Sequence, residues 1–525
     1  MDRSNAYLCK FRNMIKEKVL CLGDNTSADA WAHYLTNNFA QQNNLIFRGA
    51  ITKTDQNLEN GCYHTGPGFL QQKDIINISK KFNRIILLDQ KQEQYSHSRL
   101  FLRMFKLVND MKKIGIEVEI LNAQNMKYLH DWEKIFKKNK SICIDPWVLM
   151  HDGASGYTNL CGRNWDRIKK RENIVNWKHD VEYNKIRNDM LAGKKISGCN
   201  LCYAYEDKGI RDMRWTDSFD WITRLKIKSI EDLKNIHSPA YVEIRPSNKC
   251  NLKCRMCRPK YSHLIQKETL SIKDKKFENL AVINTPEEIM NTSSFHLVDL
   301  DKIVRLYIAG GEPTIMPEVY DFLRKCVKNK KTNFELNINT NAAKISQPLF
   351  DLFKNFTKLW FTCSVDGLPR VNEYIRWGIK SKNQIKNIHK LKKYAGIHFI
   401  SVISIYNVHE IGETMQYFDN EFPYATIQLN TAGYRNDILS PWNHPNYDLV
   451  IKSLEKAKQT KCYYHQERGA KPIVDGLYEH YIKQPKFNLE KLSNFFYYND
   501  TLDKSRGSKL VDYIPELEEC RKYIK

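Results

Sequence analysis

The chain has 525 residues, and 83 Lys and Arg against 60 Asp and Glu give it a formal net charge of +23. This length exceeds the size at which a single hydrophobic core stops growing, so several domains are expected. No apolar run approaches the roughly 20 residues needed to cross a bilayer, and the N-terminal residues lack the apolar stretch of a secretory signal. We therefore expect a cytoplasmic protein without a membrane segment.

The basic excess raises the question of a nucleic-acid partner. The lysines are dispersed rather than aligned along one face, and the chain is also rich in Asn, Ile and Tyr, as AT-rich coding sequence would produce. The charge therefore does not favour a nucleic acid over other partners, although it leaves RNA open.

Residues 1–125 alternate short apolar runs with stretches of helical spacing, which predicts an N-terminal α/β domain of unknown role. Strands are predicted at 19–22, 84–88 and 116–121, and helices near 28–42 and 97–113. The segment 24–27 after the first strand is most simply a helix N-cap. We expect this domain to serve recognition rather than catalysis.

Fourteen cysteines in a chain without an export signal favour metal ligation over disulfides, because the cytosol keeps thiols reduced. Four of them lie in an irregular, aromatic-rich region at 126–235, and we call them the auxiliary set: Cys143, Cys161, Cys199 and Cys202. Four thiolates can ligate an iron–sulfur cluster completely, and the C-x2-C pair would also suit zinc. These residues alone do not decide between an iron–sulfur cluster and a zinc ion.

A clear alternation of strands and helices occupies residues 236–435, with an insertion near 271–294. The predicted strands are 241–245, 304–309, 334–339, 359–365, 397–405 and 426–429. Six β/α units predict a parallel, barrel-like sheet. The remaining residues, 436–525, have helical spacing and predict a mostly helical C-terminal extension.

Three cysteines, which we call the cysteine triplet, follow the first of these strands: Cys250, Cys254 and Cys257. Thiolate is the usual ligand of iron–sulfur clusters, and three thiolates leave one iron of a 4Fe–4S cluster open. A structural zinc site is normally closed by four ligands, and no fourth cysteine lies nearby. The triplet therefore predicts a 4Fe–4S cluster with an open iron.

The triplet and the strand pattern from about 240 to 430 resemble the radical S-adenosylmethionine (SAM) superfamily. The resemblance implies a partial (β/α)6 barrel whose open iron binds the amino and carboxylate groups of SAM. It implies reductive cleavage of SAM to a 5′-deoxyadenosyl radical that abstracts hydrogen from a substrate. It also implies a reducing partner such as flavodoxin or ferredoxin.

Polar motifs after successive strands resemble that family's contacts to SAM. Residues 309–313 look like its Gly-Gly-Glu motif, in which glycines let the backbone approach the ligand. Later motifs are similar to those that hold the ribose, the methionine carboxylate and the adenine, while Met256 stands where the family usually has an aromatic residue. The residues carried over are Gly310, Gly311, Glu312, Asn339, Asn341, Ser364, Asp366, Arg376, Ile405 and Asn407.

The auxiliary set, with Gly156 between its first two cysteines, resembles the twitch or SPASM region of radical SAM enzymes, although here it precedes the radical domain. This resemblance implies an auxiliary 4Fe–4S cluster, with zinc as the alternative, and a peptide or protein substrate. The alternatives are a small molecule such as a sugar, an RNA, or a non-enzymatic iron–sulfur or zinc scaffold.

Overall fold

The structure is a computed structural model, and its described residues form two compact units. One comprises residues 1–148, 160–166 and 176–237, and the other 149–159, 167–175 and 238–525. No helix in the described parts is long and apolar enough to cross a membrane. The described residues are 18–23, 45–50, 84–88, 117–121, 127–152, 157–164, 166, 168–170, 174, 176–207, 213–281, 294–422, 425–432, 437–464, 470–484 and 488–524.

The first unit contains a four-stranded parallel sheet in the order β2-β1-β3-β4. Its strands are β1 (Lys18–Gly23), β2 (Leu45–Ala50), β3 (Arg84–Leu88) and β4 (Glu117–Leu121). The three predicted strands are confirmed, and β2 is an additional strand. Parallel neighbours require crossover connections. The predicted helices at 28–42 and 97–113, the predicted cap at 24–27 and Gly156 lie outside the described residues.

The described part of residues 127–234 contains six α-helices that the irregular sequence pattern of this region did not predict. The first of them is α1 (Lys127–Lys138). Trp132 and Phe136 of α1 are buried, and the ring of Phe136 lies 5.2 Å from that of Trp215 and 5.5 Å from that of Phe219. A core built from aromatic rings hides the aliphatic periodicity by which helices are recognised. The helices are α1 (Lys127–Lys138), α2 (Asp145–Val148), α3 (Val181–Leu191), α4 (Asn200–Asp207), α5 (Met213–Leu225) and α6 (Ile230–Lys234).

The second unit contains a nine-stranded sheet in the order β13-β12-β11-β10-β9-β8-β5-β6-β7. The six predicted strands are confirmed as β8 to β13 and are parallel to one another. A further parallel strand, β5, pairs with β8, and β6 and β7 continue the sheet in antiparallel fashion. The strands are β5 (Leu149–Asp152), β6 (Tyr157–Asn159), β7 (Lys169–Lys170), β8 (Tyr241–Ile244), β9 (Arg305–Ile308), β10 (Glu335–Thr340), β11 (Leu359–Ser364), β12 (Gly396–Ile403) and β13 (Thr426–Thr431).

Several strands of this sheet alternate buried with partly exposed side chains. In β10, Leu336 and Ile338 are buried, whereas Asn337 and Asn339 between them are partly exposed. Because successive side chains point to opposite faces, the polar residues are gathered on one side of the sheet. The helices are α7 (His263–Ser271), α8 (Lys275–Leu280), α9 (Pro317–Lys328), α10 (Gln347–Phe353), α11 (Pro369–Ile375), α12 (Ser381–Leu391), α13 (Ile411–Glu421), α14 (Tyr447–Ala457), α15 (Lys461–Tyr464), α16 (Ala470–Tyr481), α17 (Leu489–Arg506), α18 (Leu510–Tyr513) and α19 (Pro515–Glu518).

Candidate cofactor and metal site

The cysteine triplet lies in the loop that follows β8, residues 245–258, which we call the cysteine loop. Burial and the neighbouring Cys254 raise the pKa of Cys250 to about 12. Burial and both other thiols also raise the pKa of Cys257. The three sulfurs are thus close enough for the charge of one thiolate to disfavour the next. A cationic metal removes that conflict, and a cluster that needs three thiolates fits this donor set.

The segment that carries Arg376 is joined to the cysteine loop by two backbone hydrogen bonds. Lys253 N donates to Trp377 O at 2.9 Å, and Arg255 N donates to Ile375 O at 2.7 Å. These bonds lie on either side of Arg376. They fix that residue beside Cys254, where its positive charge opposes the rise that burial causes in the thiol pKa.

The guanidinium of Arg376 is oriented by Asp366, another residue predicted from the sequence. Arg376 Nε lies 2.8 Å from Asp366 Oδ2, and the two side chains are 12% and 1% exposed. Asp366 Oδ1 accepts a hydrogen bond from Val402 N at 2.9 Å. The structure thus brings Cys254, Asp366 and Arg376 together.

The Gly-Gly motif packs directly on the cysteine loop. Gly311 N donates to Ser247 O at 3.0 Å, and a Cβ at Gly311 would lie 2.2 Å from Lys249 O. Gly310 has a φ of +117°, and its Cβ would lie 2.8 Å from Ser247 O. Only glycine allows this approach, so the pair is required for the two loops to meet.

Glu312 is 1% exposed, and its carboxylate is occupied by donors from within the protein. Oε1 accepts from Thr314 N at 3.1 Å, Thr314 Oγ1 at 2.6 Å and Thr340 Oγ1 at 2.7 Å, and Oε2 accepts from Asn341 N at 2.6 Å. Burial raises the pKa of Glu312, and these hydrogen bonds oppose the shift. Asn341 Nδ2 in turn donates to Asn251 Oδ1 at 2.8 Å. Glu312 therefore links the ends of β9 and β10 to the cysteine loop.

We expect Glu312→Gln to lower the free energy of unfolding of the metal-free protein by about 1–3 kcal/mol, because the new amide N–H2 would face donors that are then left unpaired. The measurement is urea unfolding. Glu278→Gln is the control, since Glu278 is 38% exposed and only pairs with Lys275 at 3.2 Å. Equal losses in the two variants would contradict the prediction.

The residues predicted to contact the ribose and the adenine of SAM differ in how deeply they are buried. Asn339 and Ser364 are partly exposed, and Ser364 Oγ lies 3.4 Å from Asn339 Oδ1. Ile405 is fully buried. Asn407 is 2% exposed, with Nδ2 donating to Asp366 O at 2.6 Å and Oδ1 accepting from Ser404 N at 2.7 Å. Ile405 and Asn407 thus support the segments around the site from within the core, and their contact with SAM stays a prediction.

A polar row that sequence reasoning missed crosses four neighbouring strands. His151, Glu243, Tyr307 and Asn337 are register partners on β5, β8, β9 and β10 and therefore share one face of the sheet. His151 Nε2 lies 3.1 Å from Glu243 Oε2 and 3.0 Å from a guanidinium nitrogen of Arg245. Burial would raise the pKa of Glu243, but His151 and Arg245 lower it to about 2. The alternation of polar and apolar residues in 241–245 is the sequence feature from which the polar row could have been predicted.

The cysteines of the auxiliary set come from separate segments of the first unit. Burial, Asp145, Cys161 and Cys199 all raise the pKa of Cys143, so these groups lie close to one another. Ser218 Oγ donates to Cys143 Sγ at 3.8 Å. The fourth cysteine, Cys202, is 9% exposed and lies in the first turn of α4, three residues after Cys199. Side chains three residues apart lie on the same side of a helix.

Within the described ranges, no group of three or more His, Cys, Asp or Glu side chains has the arrangement that holds a single metal ion. A 4Fe–4S cluster binds each thiolate through a different iron, so its ligands need not converge on one point. This finding concerns one-ion sites, and the metal at the auxiliary set stays a prediction.

Comparison with solved structures finds low similarity to several proteins, among them SuiB, TYW1 and TsrM. SuiB from Streptococcus suis bound to precursor peptide SuiA is 13% identical, with 59% of this chain and 60% of that chain covered and a TM-score of 0.27. TYW1 with a lysine–pyruvate adduct is 15% identical, with coverage of 42% and 73% and a TM-score of 0.26. The methyltransferase TsrM from Kitasatospora setae, with cobalamin and a [4Fe-4S] cluster, is 8% identical, with coverage of 85% and 76% and a TM-score of 0.26. The chain thus spans 60% of the length of the SuiB structure.

The family comparison is specific to the core of the second unit. No curated protein sequence is similar to the chain. The family described as the Radical SAM superfamily matches residues 244–418, which include the cysteine triplet, the Gly-Gly-Glu motif and the Asp366–Arg376 pair. Residues 244–418 therefore form a domain of the Radical SAM superfamily.

Proposed function

We propose that the chain is a radical SAM enzyme that holds a 4Fe–4S cluster with the cysteine triplet and binds SAM at the open iron. The observation that carries the proposal is the setting of the cysteine loop. Backbone hydrogen bonds hold Arg376 beside Cys254, and the Gly310–Gly311 backbone packs on residues 247–249 of the same loop. A cluster held by Cys250, Cys254 and Cys257, once reduced by a partner such as flavodoxin or ferredoxin, would supply the electron for cleavage of SAM to methionine and a 5′-deoxyadenosyl radical, the species that would take hydrogen from the substrate.

The residues around the triplet have roles that follow from their contacts. Asp366 holds one edge of the Arg376 guanidinium, and we infer that the other edge receives the methionine carboxylate, since Arg pairs with carboxylates through parallel N–H donors. Gly310 and Gly311 keep the adjacent backbone free of side chains. Asn339 and Ser364 are the partly exposed candidates for the ribose. We also infer that β8 to β13 curve into the partial barrel of the family.

The substrate class follows from the auxiliary set and the polar row. We propose a peptide or protein, because the four-cysteine pattern resembles the twitch or SPASM region, and an auxiliary 4Fe–4S cluster that conducts electrons or stabilises the fold. His151, Glu243 and Arg245 favour a polar group on the substrate at this face of the sheet. A sugar-like small molecule fits the same row and is the second candidate. The many thiols of both sets favour the reducing cytoplasm.

The experiment that tests the activity is anaerobic reconstitution with iron and sulfide, followed by dithionite and SAM. We expect about eight irons per chain, four for each cluster, and 5′-deoxyadenosine detected by mass spectrometry. A fully loaded protein that forms no 5′-deoxyadenosine would overturn the enzyme proposal and favour a scaffold.

A salt titration distinguishes a peptide-modifying enzyme from an RNA-modifying one. Binding through phosphates weakens steeply with salt. For a peptide-modifying enzyme we expect no RNA affinity that persists at about 0.15 M salt, measured by fluorescence anisotropy with a labelled tRNA. Tight tRNA binding that survives both physiological salt and loss of the clusters would favour the RNA alternative.

A further inference from the structure

The C-terminal helix α17 packs on the cysteine loop, although it lies outside the segment that matches the family. The contact is made by Arg255, which stands between two cysteines of the triplet and has a side chain with no exposed surface. Its guanidinium donates to Asn499 Oδ1 at 3.2 Å and to Asp503 Oδ1, both on α17. It also donates to Tyr374 O at 3.0 Å.

Further contacts secure this buried pair from both sides. Tyr374 Oη donates to Asp503 Oδ2 at 3.1 Å, and the Tyr374 ring lies 3.6 Å from the Arg255 guanidinium. Tyr498 Oη donates to the backbone oxygen of Arg255 at 2.8 Å. A buried cation is tolerated only with its anion and its hydrogen bonds in place. The backbone between Cys254 and Cys257 is therefore held from α17.

Arg506, in the last turn of α17, makes a second connection to the loop. Its side chain is fully buried and binds Glu268 through two parallel contacts, at 3.0 Å from Nε and 2.6 Å from a terminal nitrogen. Glu268 Oε1 also accepts from Lys253 Nζ at 2.8 Å. The two connections reach Lys253 and Arg255, the residues on either side of Cys254. Since two cations share one carboxylate, the group keeps a net positive charge.

The remaining terminal nitrogen of Arg506, Nη1, is buried and has no hydrogen-bond partner among the described residues. Arg506 and Cys257 line the same small cavity, together with Tyr498 and Leu502. The cavity has a volume of about 10 Å³, space for no more than one water molecule. A buried arginine with an unpaired N–H donor thus lines a cavity together with a cysteine of the triplet.

We propose that α17 is part of the cluster site: Asp503 and Arg506 are positioning residues for the cysteine loop, and Arg506 raises the reduction potential of the cluster. This inference rests on the proposed function in requiring that the triplet binds a cluster and that the cluster binds SAM, but it does not require SAM cleavage. Reduction adds negative charge to a cluster, so a nearby cation or N–H donor favours the reduced form.

The test compares Arg506→Gln and Arg506→Lys in the reconstituted full-length protein. Midpoint potentials are taken from redox titrations followed by electron paramagnetic resonance, and the signal that changes when SAM is added identifies the open-iron cluster. We expect Arg506→Gln to shift this potential to more negative values and Arg506→Lys, which keeps the charge, to stay near the wild type. Arg521→Gln is the matched control, because Arg521 pairs with Asp500 and Glu518 at the surface and should leave the potential unchanged. A wild-type potential in loaded Arg506→Gln would overturn the proposed tuning.

Asp503→Asn tests the positioning role by iron content. The variant keeps the size of the side chain but removes the charge that Arg255 requires, so we expect the loss of up to about four irons per chain with an altered resonance signal. Full iron with the wild-type signal would overturn the positioning role. If Arg506→Gln fails to fold, Arg506→Lys is the deciding variant. A lower iron content with a wild-type potential supports the proposal, and a full iron content with a shifted potential contradicts it. These readouts need no SAM cleavage, so the inference and the proposed function can fail separately.

Discussion

Cys254→Ala is expected to abolish 5′-deoxyadenosine formation and to remove about four irons per chain. Cys254 is the middle member of the triplet, and its loss leaves two thiolates where three are needed to hold a cubane with one open iron. Cys254 raises the pKa of both Cys250 and Cys257, as expected for a thiol that lies near both of them. No other described residue of the cysteine loop has a thiol that could replace it.

The measurements for this variant are iron and sulfide per chain and the yield of 5′-deoxyadenosine after reduction in the presence of SAM. Cys326→Ala is the control, since Cys326 is a buried core residue of α9 and should leave both values unchanged. Continued formation of 5′-deoxyadenosine by Cys254→Ala would show that the triplet is not the cluster site.

The double variant Cys199→Ala/Cys202→Ala is expected to remove about four further irons and to leave SAM cleavage in place. The four cysteines of the auxiliary set lie in the first compact unit, whereas the triplet lies in the second. Loss of two of four thiolates should empty one site without touching the other. Iron and 5′-deoxyadenosine are measured as for Cys254→Ala.

The same double variant decides which metal the auxiliary set binds. Zinc and iron are measured together by mass spectrometry, and loss of one zinc with all iron retained would favour the closed four-thiolate zinc site. Retention of all metal would show that these cysteines are not the ligands. The control Cys326→Ala should keep the metal content of the wild type.

Strand positions in the second unit were predictable because each of the six strands carries apolar residues, either in alternation with polar ones or in a short run, and ends at a break in the pattern. The strands β5 to β7 were not predicted, because β6 and β7 have only three and two residues. The helices between 127 and 234 were missed because rings such as those of Trp132 and Phe136 form their core. Both failures come from elements whose stability depends on partners far away in the sequence.

The sequence by itself predicted the chemistry of the triplet and determined the order of the motifs after successive strands, because ligand type and spacing within one loop are local properties. Only the tertiary structure decided how those residues are used. Glu312 is occupied by internal donors, and Arg255 is paired with Asp503, which lies 248 residues away. Arg506 and Glu268 are 238 residues apart. No local pattern encodes such pairs, since a buried charge finds its partner only when the chain folds back and removes both groups from water.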